Sequence, residues 1–247
     1  MPSSKQKIYF IPGTMCDERL WTNVWQSLSP LLTNSVEFIN LAIPSLETIS
    51  EIAENLADQL DDNSALVGFS LGGYFASEIA IKFPQKVSNL LLVSNMSSAL
   101  PEKESKERAR TIQFIKANGY SGVPDKRINH LLDPSAHNNE QIKETIRAMD
   151  KTMGVDVLLH QLNVTTLRAN LLPQLAELKC PLTFCIGDTD CLVKIDRIQN
   201  QISQTASNNK TLEIVPNTGH MLPLEQPELL AGIIAKWFTK NELCSIA

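Results

Sequence analysis

The chain has 247 residues, 43% hydrophobic and 20% charged, enough for one large domain with a substantial core. Its formal net charge of −5 leaves no basic excess for nucleic acid or an anionic membrane surface. The five cysteines, Cys16, Cys180, Cys185, Cys191 and Cys244, are odd in number and form no CxxC pair, so free thiols in a reducing compartment are expected. The histidines make no spaced cluster with them, so no metal or other cofactor is expected.

The start is short and polar, and the apolar run Ile8 to Pro12 is too brief for a signal peptide. No later run reaches membrane-spanning length, and a cytoplasmic location is the default expectation. Lys7 to Ile11 reads as a buried strand stopped by Pro12-Gly13. Leu20 to Leu32 looks helical, with Trp21, Val24, Trp25 and Leu28 on one face, and Val36 to Asn40 is a second strand. Thr48-Ile-Ser-Glu51 is a capping box ahead of an apolar stripe at Ile49, Ile52, Ala53, Leu56, Ala57 and Leu60.

Ala65 to Phe69 is the third strand, Leu71 to Phe83 a helix ended by Pro84, and Val87 to Ser94 the fourth strand. Such continuous apolar runs suit parallel strands covered on both faces. From Ser97 to Pro173 the alternation breaks, and this charged stretch reads as several helices. Leu182 to Gly187 and Thr211 to Pro216 restore the strands, with a helix between them and a last helix over Pro227 to Lys240. The order predicts an α/β fold: a mostly parallel sheet of about six strands wrapped by helices. The core comprises residues 1–96 and 174–247, with a helical cap insertion at 97–173.

The sharpest local signal is Gly68-Phe-Ser70-Leu-Gly72, where a strand ends and a helix begins. A nucleophilic serine must stand clear of the sheet, so the chain turns sharply there and admits only small residues two before and two after. The following helix N-terminus presents amides toward a developing oxyanion, Leu71 among them. A serine hydroxyl needs a base, and the base needs an acid to orient it. Asp190 and His220 follow in that order, each in a loop just past a strand. Asp188 competes for the acid role but directly follows Gly187, where aspartate serves turns; Asp190, further into the loop, is favoured because it can reach His220. The second oxyanion donor is expected from Pro12-Gly13-Thr14-Met15, with Thr14 the choice and Met15 the fallback. His130, His137 and His160 fall in the insertion and are expected to be surface or packing residues. Lys103, Lys106, Arg108 and Arg110 read as a solvated helix face, and Arg168 as a residue that lines the pocket.

On Phe10-Ile-Pro-Gly-Thr14, Gly68-Phe-Ser-Leu-Gly-Gly73, Cys180 to Asp190 and Gly219 to Pro227, the chain resembles the α/β-hydrolase superfamily over nearly its whole length. Its small, single-cap layout is similar to the serine-esterase branch with pimeloyl-carrier-protein methyl ester esterase and 3-oxoadipate enol-lactonase. The resemblance implies Asp190, third after Gly187, as the acid. Many members carry His-Gly where this chain has Pro12-Gly13. The expected activity is cleavage of a carboxylic ester or related small-molecule acyl substrate through an acyl-enzyme. Thioesterase, lactonase, acyltransferase, lyase and ligand-receptor readings remain open on the same fold.

Overall fold

The computed structural model describes residues 6–32, 36–203 and 209–245, with side chains to residue 240. Six strands alternate with helices: β1 (Gln6–Ile11), α1 (Thr22–Leu28), β2 (Val36–Asn40), α2 (Ile49–Asp58), β3 (Ser64–Phe69), α3 (Leu71–Lys82) and β4 (Val87–Val93). Four helices then intervene, α4 (Glu102–Asn118), α5 (Asp125–Leu131), α6 (Glu140–Thr165) and α7 (Leu172–Ala176), before β5 (Leu182–Gly187), α8 (Ile195–Ser203), β6 (Lys210–Val215), α9 (Leu222–Glu225) and α10 (Pro227–Ser245).

The strands form one parallel sheet in the order β2-β1-β3-β4-β5-β6, which is the α/β sheet expected from the sequence. Strand period two splits the core between its faces. Ile8, Phe10, Val67, Phe69, Leu91, Val93 and Cys185 face one side, with Val24 and Leu28 of α1 and Ile234 and Trp237 of α10. Tyr9, Ile11, Leu66, Leu90, Leu92, Phe184 and Ile186 face the other, with Ile52 and Leu56 of α2 and Phe75 and Ile79 of α3. Each such side chain taken fully from water contributes about 1.5–3 kcal/mol. The edge strands β2 and β6 are covered less completely, and Ile214 is exposed.

The capping box forms as expected: Thr48 N–H donates to Glu51 Oε2 at 2.9 Å, and Glu51 N–H to Thr48 Oγ1 at 3.1 Å. The single helix expected over Leu20 to Leu32 does not. It divides into a 3₁₀ turn at Glu18–Leu20, α1, and a second 3₁₀ turn at Ser29–Leu31. Pro30 brings no N–H to continue the ladder, so the α-helix stops at Leu28. No strand occurs among residues 97–173, and α6 is kinked at Gly154, whose φ of +78° no helix accommodates.

The chain leaves β1 toward one edge of the sheet and comes back to place β3 on the other side of β1. A sheet that reverses its winding there opens a crevice outside the carboxyl ends of β1 and β3, where α/β ligand sites gather. Pro12-Gly13 and Ser70 follow directly on those two strand ends.

Candidate active site

Ser70 joins β3 to α3 with φ +48° and ψ −114°. A serine held in that region carries strain of about 1–3 kcal/mol, so neighbours must impose it. Ser70 N–H donates to the Val93 carbonyl at 2.9 Å, and its carbonyl accepts from Asn95 Nδ2 at 2.6 Å. The turn leaves no room for side chains on either flank. A Cβ on Gly68 would lie 2.6 Å from Gly72 O, and one on Gly72 would run into the carbonyls of Ile11 and Pro12.

His220 lies in the loop after β6 and is 4% exposed. Its Nε2 is 2.9 Å from Ser70 Oγ, and its Nδ1 is 2.9 Å from Asp190 Oδ2 and 3.1 Å from Oδ1. A carboxylate only accepts, so Nδ1 carries the proton and Nε2 turns its lone pair to the Ser70 hydroxyl. The Asp190 side chain is fully buried, and Oδ1 also accepts the N–H groups of Leu192 at 2.8 Å and Val193 at 3.1 Å. Burial pushes the Asp190 carboxyl up, but His220 and the two amides outweigh it and hold the pKa below its ordinary 3.8. The Phe69 ring, 5.4 Å from the imidazole, gives the histidine an apolar wall. Asp188 points elsewhere: its Oδ1 accepts Thr218 N–H at 3.1 Å and ties the Asp190 loop to the His220 loop.

Gly13 passes close to Ser70, since a Cβ on it would stand 3.2 Å from Ser70 Cβ. The two amides singled out in this loop differ. Met15, at φ +55°, donates its N–H to Gln161 Oε1 at 3.0 Å. The N–H groups of Thr14 and Leu71 meet no acceptor among the described residues. Leu71 directly follows Ser70, and Thr14 directly follows Gly13, the residue that passes close to Ser70. Among the described residues, no group of three or more His, Cys, Asp or Glu is arranged to hold a metal ion. No described helix is long and apolar enough to cross a membrane.

The family described as serine aminopeptidase S33 matches residues 42–227, a span that includes Ser70, Asp190 and His220. The chain belongs to this α/β-hydrolase family. Its relatives include the pimeloyl-[acyl-carrier protein] methyl ester esterases of Wigglesworthia glossinidia brevipalpis, 26% identical over 97% of this chain and 95% of that one, and of Pseudoalteromonas atlantica, 25% identical over 81% and 83%. A putative 2-succinyl-6-hydroxy-2,4-cyclohexadiene-1-carboxylate synthase of Bacillus subtilis is 27% identical over 77% and 71%. A thermophilic esterase from Thermogutta terrifontis shares the fold, with a TM-score of 0.81 at 21% identity over 96% of this chain and 90% of that one. This hydrolase therefore has the superfamily and the esterase-type branch that its motifs resemble.

The insertion's charged residues divide. Lys103 and Lys106 are exposed and pair with Glu107 and Glu102, a solvated face as expected. Arg108 departs from that reading: it turns inward to Glu104 at 3.1 Å and Thr165 at 3.2 Å. Arg168 is a brace. Its Nε donates to the Ser98 carbonyl at 2.9 Å and its guanidinium covers the Tyr74 ring at 5.1 Å; burial and neighbouring Arg108 lower its pKa to about 10. His137 and His160 bond to backbone carbonyls and His130 is exposed, which suits packing and surface roles. Cys16, Cys180, Cys185 and Cys191 are free, and the side chain of Cys244 lies outside the described residues.

Three residues escaped the sequence reading. Asn95 holds the Ser70 carbonyl and is itself held by Ser97, whose N–H and Oγ each donate to Asn95 Oδ1 at 2.6 Å. Gln161 reaches Met15 from α6, and Glu225 accepts the N–H of Gly219 beside His220 at 3.1 Å. Asn95 and Gln161 belong to no motif. Glu225 stands inside the run Gly219 to Pro227, and only its contacts reveal a use for it.

Proposed function

We propose that this protein hydrolyses carboxylic esters of small acyl substrates with Ser70 as nucleophile, His220 as base and Asp190 as the acid that orients it. The observation that carries the proposal is the unbroken relay from Ser70 Oγ to His220 Nε2 at 2.9 Å and from His220 Nδ1 to Asp190 Oδ2 at 2.9 Å. Ser70 attacks the ester carbonyl while His220 takes its proton. The oxyanion accepts the free amides of Thr14 and Leu71, each worth roughly 3–4 kcal/mol to the transition state. Gln161 supports Thr14 over Met15 as donor, because it already engages the Met15 amide. Collapse expels the alcohol, protonated by His220, and water deprotonated by the same imidazole releases the acid. No cofactor enters this scheme, and helices α4 to α6 cap the site.

The names of the relatives make a methyl or other short-alcohol ester of an acyl chain the first substrate class to test. The putative synthase relative keeps a synthase on the same three residues as the second reading. The test is a fluorophosphonate probe, with the adduct located by peptide mass spectrometry, beside turnover of nitrophenyl esters by wild type and Ser70→Ala. Labelling at Ser70 and loss of turnover in the variant are expected. A folded wild type that neither labels nor turns over overturns the reading.

A further inference from the structure

The insertion reaches the loops that carry the site. His220 donates its backbone N–H to the Leu131 carbonyl, at the end of α5, at 2.7 Å. Gly219 packs on the same segment: a Cβ there would stand 2.5 Å from Asp133 N and 2.7 Å from Leu131 O. The acid loop is tied to it as well. Thr189 Oγ1 donates to Asp133 Oδ2 at 2.7 Å, and the Cys191 thiol donates to the His130 carbonyl at 3.0 Å. One side chain joins these ties. Glu225 Oε2 accepts the N–H of Asp133 at 2.7 Å and that of Gly219 at 3.1 Å, while Oε1 is buried without a partner.

We propose that Glu225, acting with residues 130–133 of the insertion, is a positioning residue that sets His220 and Asp190 against Ser70. The proposal rests on the reading of these three as a triad. The loop between β6 and α9 has no ladder for the amides of residues 219 and 220, so its place depends on acceptors supplied from outside. The Leu131 carbonyl takes one amide and Glu225 takes the other. Glu225 also fixes Asp133, and so the insertion cannot shift without moving both the base loop and the acid loop. Keeping a carboxylate out of water at this point is unfavourable unless such charge-assisted bonds hold the geometry. Glu225 touches no reacting atom and acts through the backbone of Gly219.

The test is nitrophenyl acetate kinetics on the full chain for wild type, Glu225→Leu, Glu225→Gln and Thr189→Val, each with a thermal melt. A misplacement of about 1 Å costs on the order of 10²-fold, so folded Glu225→Leu is expected to lose about 10- to 100-fold in kcat while KM stays within about twofold. Glu225→Gln keeps a carbonyl oxygen for the two amides and is expected to recover most of that loss. Thr189→Val, at an exposed position, is expected to lower kcat several-fold at unchanged KM. Wild-type kcat in folded Glu225→Leu, even at a lower melting temperature, makes the residue merely structural and overturns the proposal. If Glu225→Leu does not fold, Thr189→Val decides, and an unchanged kcat there overturns it. A wild type that is neither labelled at Ser70 nor active overturns the triad reading and this proposal with it, a result distinct from an active enzyme indifferent to Glu225.

Discussion

Asp190→Asn offers the sharpest test of the relay, because the surrounding amides dictate which way the new side chain must turn. Leu192 and Val193 both donate to Oδ1, at 2.8 and 3.1 Å. The amide oxygen of the variant has to take that place, since an NH₂ group there would face two donors. The amide nitrogen then occupies the Oδ2 position, 2.9 Å from His220 Nδ1. A donor facing Nδ1 forces the imidazole into the opposite tautomer, with its proton on Nε2. Nε2 then donates to Ser70 Oγ and has no lone pair to accept the serine proton. Volume and packing are unchanged, so the loss falls on kcat: about 10⁴-fold, or roughly 5 kcal/mol of barrier. The assay is steady-state hydrolysis of nitrophenyl acetate with a thermal melt of each variant. Asp188→Asn is the control. Its amide oxygen can still accept Thr218 N–H, and activity should stay within about threefold of wild type. A folded Asp190→Asn that keeps kcat within about tenfold of wild type refutes the tautomer argument.

Asp190 also sets an acid limit. Its folded pKa is depressed below 3.8, so the stability it contributes is present above that value and is lost as pH falls through the folded one. Urea melts between pH 5 and pH 2 should show a steeper loss for wild type than for Asp190→Asn, and equal slopes would count against the assignment. Gly72→Ala thrusts a methyl into the carbonyls of Ile11 and Pro12 and should destabilise the fold by about 1–3 kcal/mol while prising the Gly13–Thr14 loop from Ser70. Its activity should fall further than its folded fraction, which circular dichroism and kinetics on one preparation can compare. Thr48→Ala removes the cap of α2 at an exposed residue whose side chain bonds only to Glu51 among the described residues, and should cost about 1 kcal/mol in a urea melt with kcat unchanged.

The site lies in loops, yet its three leading residues were readable because each loop is bounded by local signals. Gly68 and Gly72 mark the turn at Ser70 because the backbone packs too closely for a side chain. Asp190 and His220 each follow a strand with a clear apolar run. The residues that hold the site were not readable in the same way. Asn95, Gln161 and Glu225 act across gaps of 25, 146 and 6 or 92 positions, through single hydrogen bonds that leave no periodic mark. Arg108 turns inward against expectation for the same reason, since a charged residue on a charged helix gives no sign of which way it turns.

By itself the sequence determined the alternation of strands and helices, the strand-free stretch over residues 97–173 and the placing of Ser70, Asp190 and His220 just past strand ends. These are local matters of periodicity, capping and turn chemistry. The tertiary structure decided which aspartate meets His220, which amides of the loops at Thr14 and Leu71 stay free, and how residues 130–133 bond to the loops of Asp190 and His220. Those outcomes depend on distances between segments far apart in the chain, and only the packed sheet fixes them.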